Sequence, residues 1–188
     1  NQLIISYTDS QTNRYIQQHR KHDNISVISL HQPSQSLIQL SDSVSEAGYK
    51  KSLLIAVSEQ NESLLSELNA LAPLTHGELN VVIIPQQTLA AKVLEPHLFN
   101  AAVLVAIQDP EIWSGKNANW LLQQAFNYQV PVIGYSKSFL KAGALASVYS
   151  TIEDVTALTV ESINHWLDDE LPSSFSINYP EAAITINP

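Results

Sequence analysis

Short apolar runs alternate along this chain with stretches whose apolar positions recur at helical spacing. Residues 3–7 and 26–30 read as strands enclosing a polar helix at 11–22. A helix follows at 35–46, with Leu37, Ile38 and Val44 as its apolar stripe. Residues 53–57 form an unbroken apolar run, the pattern of a strand buried on both faces. The next helix, 61–71, repeats Leu64, Leu65, Leu68 and Leu71 at helical spacing. Strands at 81–84 and 102–107 flank a helix at 88–94. Helix 117–128 presents Leu121, Leu122, Ala125 and Phe126 on one side, and strands follow at 132–135 and 146–149. The last strong helix, 152–167, is expected to turn Ile152, Val155, Leu158, Ile163 and Trp166 inward. Ser150 and Glu153 have the spacing of a capping box, in which two side chains satisfy backbone donors reciprocally. Pro172 marks the exit, and 183–186 can add an edge strand.

Buried strands alternating with helices predict an α/β fold, a doubly wound parallel sheet covered on both faces. Ligands of such sheets sit outside the carboxyl ends of the strands, where the strand order reverses. That rule selects three loops: Ser58-Glu59-Gln60, Gln108-Asp109-Pro110 and Tyr135-Ser136. A soft boundary is expected at Gly48-Tyr49-Lys50-Lys51. It divides the chain into a short, incomplete first lobe (1–50, strand-helix-strand-helix), a main α/β lobe (51–170) and a C-terminal return segment (171–188).

Composition narrows the chemistry. The 188 residues are 45% hydrophobic and 14% charged, enough apolar matter for a packed core without staples. Absence of cysteine excludes disulfides, thiolate metal sites and cysteine nucleophiles. No apolar run approaches the roughly 18–20 residues that span a bilayer, so no membrane insertion is expected of this segment. The formal net charge is −9. Residues 1–50 balance Arg14, Arg20, Lys21 and Lys50 against Asp9, Asp23, Asp42 and Glu46, so the whole excess lies downstream. An acidic surface without a basic stripe argues against nucleic acid and against anionic membranes.

Each candidate residue has a functional and a structural reading. Asp109 ends a buried strand and precedes Pro110, which holds it extended. Its carboxylate can accept charge-assisted hydrogen bonds from a ligand ammonium, or cap the following helix. Ser58, Glu59 and Gln60 lead into a helix whose free amides can hold a ligand carboxylate, or Ser58 or Asn61 can cap it. Together the two loops suit a zwitterion. Tyr135, Ser136 and Trp113, with Tyr149 near the same rim, offer apolar contact with a polar handle, or plain packing. Gly143 is expected at a turn of positive φ or a close backbone approach, and Pro131 at a strand opening. His19 and His22 share a helix face and His31 follows, but no third convergent ligand or HExxH motif accompanies them, so no metal or cofactor is expected. His76, His97 and His165 are isolated. No Gly-x-Ser-x-Gly elbow, GxGxxG or GxxxxGK[ST] occurs, so neither an enzyme nor a nucleotide site is expected. Asn24-Ile25-Ser26 and Asn61-Glu62-Ser63 match the glycosylation triplet, a pattern frequent by chance.

Three spaced segments carry a family resemblance: Val103-Leu104-Val105-Ala106-Ile107-Gln108-Asp109-Pro110, Val130-Pro131-Val132-Ile133-Gly134-Tyr135-Ser136, and Lys141-Ala142-Gly143-Ala144-Leu145-Ala146-Ser147. In that order they resemble the second half of ABC transporter substrate-binding proteins. The tail Tyr179-Pro180-Glu181, with Ile184-Thr185-Ile186-Asn187, is similar to the segment by which that family returns to its first lobe. The resemblance implies a periplasmic-binding-protein-like fold and a non-catalytic receptor outside the cytoplasm. It also implies a small organic ligand, an amino acid among the candidates, and a membrane permease as partner. The alternative is an extracytoplasmic sensory or protein-interaction module that reuses the fold with a signalling partner.

Overall fold

A computed structural model describes residues 3–46, 52–168 and 174–187. The expected boundary at Gly48–Lys51 and the helix exit at Pro172 lie outside the described residues. Internal contacts divide the chain into two compact units, 1–33 with 149–183, and 34–148 with 184–188. The helix at 34–46 therefore belongs with the larger unit, and the helix at 152–167 with the smaller. This differs from a cut near residue 50, because a chain cut follows sequence whereas packing follows buried faces.

The smaller unit is a three-stranded parallel sheet. Strand β1 (Leu3–Thr8) leads through helix α1 (Ser10–His19) to β2 (Ile25–Ser29), and the sheet order places β2 between β1 and β8 (Ser176–Asn178). Asp9 caps α1 by accepting from the Thr12 amide at 2.6 Å. Tyr7 adopts a left-handed φ of 61° where the β1–β2 register shifts between Ile5 and Thr8. Helix α7 (Ile152–Leu167) packs on β1 and β2, and hydroxyls pin it: Ser6 Oγ to Thr159 Oγ1 at 2.7 Å, and Tyr7 OH to Thr156 Oγ1 at 2.5 Å. The expected inner face of α7 needs correction. Val155 and Ser162 are buried, with Leu158 and Thr159 beside them, whereas Ile152, Ile163 and Trp166 face solvent. The helix meets the sheet partly through its hydroxyl residues, so hydrophobicity misassigned the face. The capping box also lies one residue on from its expected place. Thr151 Oγ1 accepts from the Asp154 amide at 3.1 Å, and the Asp154 carboxylate accepts from the Thr151 amide at 2.8 Å. Ser150 instead accepts from Gln32 Nε2 at 2.7 Å.

The larger unit holds a six-stranded sheet in the order β4-β3-β5-β6-β7-β9. Its strands are β3 (Ser52–Ser58), β4 (Glu78–Ile84), β5 (Ala101–Val105), β6 (Val132–Gly134), β7 (Ala146–Tyr149) and β9 (Ala183–Ile186). From β4 across to β7 every neighbouring pair is parallel. Helices α2 (Ser34–Glu46) and α3 (Glu62–Leu71) cover one face, with a short turn at Ala72–Leu74 after α3. Helices α4 (Ala90–Leu98) and α5 (Gly115–Asn127) cover the other. Strand β3 shows how: Leu53, Ile55 and Val57 join the α2–α3 core, and Leu54 and Ala56 join the α4–α5 core. That alternation has the strand period of two with both faces buried, so the sequence reads as one apolar run. The result is the expected doubly wound α/β architecture.

Asp42 of α2 ties down the chain after the Ala72–Leu74 turn. Its carboxylate accepts from the amides of His76 at 2.8 Å and Gly77 at 2.9 Å, and lies 2.9 Å from the His76 ring. Burial pushes the Asp42 carboxyl up, but the two amides and the imidazole outweigh it and hold the pKa below the usual carboxylate value. No helix among the described residues is long and apolar enough to cross a membrane.

Candidate functional site

Because β3, β5 and β6 are adjacent and parallel, their carboxyl ends open on one edge of the sheet. Ser58 closes β3, Asp109 follows β5, and Tyr135 follows β6. The structure joins the first two of these loops in one polar cluster. Asp109 Oδ2 accepts from the Ser58 amide at 2.9 Å, Ser58 Oγ at 2.8 Å and Asn61 Nδ2 at 3.2 Å. Its Oδ1 accepts from the Glu111 amide at 3.2 Å. The Asp109 carbonyl then receives the amides of Ile112 at 3.1 Å and Trp113 at 2.9 Å, folding the loop back toward the sheet.

Burial separates the eight expected residues into two sets. Ser58, Asp109 and Trp113 are 4%, 1% and 6% exposed, and Asp109 acts here as the link between two strand ends. Trp113 belongs to the α4–α5 core and meets Phe139 edge-on, with ring centroids 5.5 Å apart. Glu59, Gln60 and Pro110 are exposed, and Tyr135 and Ser136 are half-buried. Glu59 stays on the rim through a 3.4 Å hydrogen bond from the Gln86 amide. Of the two caps weighed for α3, Asn61 is the one observed, accepting from the Leu64 amide at 3.3 Å.

Tyr135 leans on Phe139, ring centroids 4.9 Å apart. Its phenol pKa is raised, first by burial and then by the negative charge of Asp109, so it stays neutral and retains its proton. Phe139 lies on a short helix, α6 (Lys137–Lys141), that sequence periodicity did not disclose. It sits directly over Gly134, where an added Cβ would overlap Phe139 Cβ and Cγ and reach Ser147 Oγ at 3.0 Å. Gly134 is thus the residue that lets Phe139 support Tyr135. Its only signal in the sequence is a glycine at the end of a strand whose other positions are apolar. Gly143 behaves as the turn reading required, with φ of 97° and open space around its Cα. Chemically the rim offers a neutral phenol, a hydroxyl and exposed polar side chains around a buried carboxylate. Among the described residues no group of histidines and carboxylates could hold a metal ion.

No protein-family model and no curated protein sequence matches the chain. Solved structures do. An ABC domain from Streptococcus pneumonia in complex with L-Trp matches with a TM-score of 0.67 and 17% identity, over 98% of this chain and 65% of that one. A ligand-free, open substrate-binding protein with adhesive properties from Clostridium difficile matches at 0.68 and 15%, over 98% and 63%. A transcriptional activator from Bacillus halodurans matches at 0.55 and 14%, over 97% and 70%. The chain spans under two thirds of the length of the first two. At such identities the likeness is one of fold alone, a fold that solute-binding proteins and transcriptional regulators both display.

Proposed function

We propose that the chain is a binding protein, without catalytic turnover, for a small organic solute at the carboxyl rim of its larger sheet. The supporting observation is that Asp109 ties the end of β3 to the loop after β5, with half-buried Tyr135 following the adjacent, parallel β6. In this reading Tyr135, Ser136, Glu59, Gln60 and Pro110 contact the solute. Ser58, Asp109 and Trp113 fix their positions, and the buried carboxylate favours a ligand carrying an ammonium group, as an amino acid does. The work is done outside the cytoplasm, with a membrane permease receiving the solute. Calorimetric titration with the standard amino acids tests it. Saturable heat for at least one member, weakened at least tenfold in Tyr135→Ala, is expected; no heat for any member counts against the amino-acid assignment.

A sensory or protein-interaction module is the second reading. One feature favours it: α7 leaves Ile152, Val160, Ile163 and Leu167 between 39% and 70% exposed along one face. A module of this kind would give no heat with small solutes.

A further inference from the structure

A hollow lies on the opposite edge of the larger sheet from the rim, at the amino ends of β6 and β7. Its volume is about 1140 Å³, and it runs between the last turns of α5, the Val130-Pro131 approach to β6 and the Ala142–Leu145 approach to β7. Its chemistry differs from that of the rim. In a chain of net charge −9, none of the described lining residues is ionisable. The polar lining is carboxamide: Asn119, Gln123, Asn127, Gln129 and Asn187. Asn187 is partly engaged, donating from Nδ2 to the Leu140 carbonyl at 3.3 Å. Phe126 borders the hollow at 82% exposure, an unusual position for a phenylalanine; a separate, smaller hollow of about 250 Å³ shares Gln123 with it and is lined by Trp120, Lys92 and Glu95.

We infer that this amide-lined hollow binds a neutral polyhydroxylated molecule of the saccharide class. Carboxamides present both donors and acceptors, as hydroxyls do, so each group can be matched from either side. An aromatic face supplies apolar contact for the C–H face of a sugar ring. A charged ligand would lose water without gaining a counter-charge, and a wholly apolar one would cover the amides without satisfying them. The volume of about 1140 Å³ is somewhat above the roughly 300–1,000 Å³ usual for small-molecule sites, room for a disaccharide. This inference stands independently of the rim, which lies at the other ends of the same strands.

Amide chemical-shift mapping on the ¹⁵N-labelled chain tests it, with maltose, cellobiose, lactose and N,N′-diacetylchitobiose as probes, each at about ten times a Kd of about 1 mM. Glutamate and 1-hexanol serve as charged and apolar controls. The expected result is saturable shifts at residues 119–129 and 142–145 with at least one disaccharide. Phe126→Ala should weaken that binding about tenfold or more, and both controls should be silent there. The inference is overturned by no shift with any disaccharide, by disaccharide shifts confined to residues 58–61 and 134–136, by unchanged binding in Phe126→Ala, or by a control binding in the disaccharides' place. Because Phe126 is largely solvent-exposed, the variant keeps the fold against which the shifts are read.

Discussion

Asp109 shows how a residue chosen for ligand chemistry can first be a structural one. Its carboxylate receives three donors from the end of β3 and the start of α3, so truncation strands buried donors in the core. Asp109→Ala should cost roughly 2–4 kcal/mol in urea unfolding, since each buried donor left alone costs about 1–3 kcal/mol. Gly134→Ala should cost about 1–3 kcal/mol by overpacking against Phe139, and should loosen Tyr135, visible as altered tyrosine fluorescence. Asp42 predicts a pH dependence. Its folded pKa lies below the unfolded value, so the unfolded chain takes up the proton first. Its stabilisation is therefore complete above the ordinary carboxylate pKa, near about 3.9, and is lost as pH falls through the lower folded value. Unfolding curves collected down that range should flatten in Asp42→Asn relative to the parent. A parent curve with no such slope would remove Asp42 from the account.

At the scale of elements, legibility followed burial. Strands β3 and β5 were readable because both faces are covered and the apolar run is unbroken. Helix α4 was expected to end at 94, short of Pro96, yet it continues to Leu98 because Leu94 and Leu98 both bury against the sheet. There packing overrides the cost of an interior proline. The five residues of α6 and the three of β8 are too short to show a period, and α6 carries the Phe139 that supports Tyr135. That the three loops share one edge was legible from the alternation of strands and helices, which predicts parallel strands. Which rim residues meet solvent was not, because that depends on how Asp109 and Phe139 fold the loops back. The α7 start offers a sharp test. Thr151→Ala should cost about 0.5–2 kcal/mol, while Glu153→Ala, outside the observed capping box, should stay within about 0.5 kcal/mol. Equal losses in thermal unfolding would contradict the assignment.

For the whole molecule, the physical argument is that one doubly wound sheet presents two chemically distinct edges. The carboxyl edge holds the buried Asp109 side chain and a neutral phenol; the amino edge holds uncharged amides and an exposed phenylalanine. Fold alone does not choose a function, since solute-binding proteins and transcriptional regulators both display it. A ligand that binds only the folded chain does discriminate, because it must raise the unfolding free energy by mass action. The most direct measurement is therefore urea unfolding of the parent and of Tyr135→Ala, with and without the amino acid that gives calorimetric heat, held at a hundred times its Kd. The account predicts a gain of about 2.7 kcal/mol in the parent and a clearly smaller one in the variant. An equal gain in both, or none in the parent, would contradict binding at the carboxyl rim.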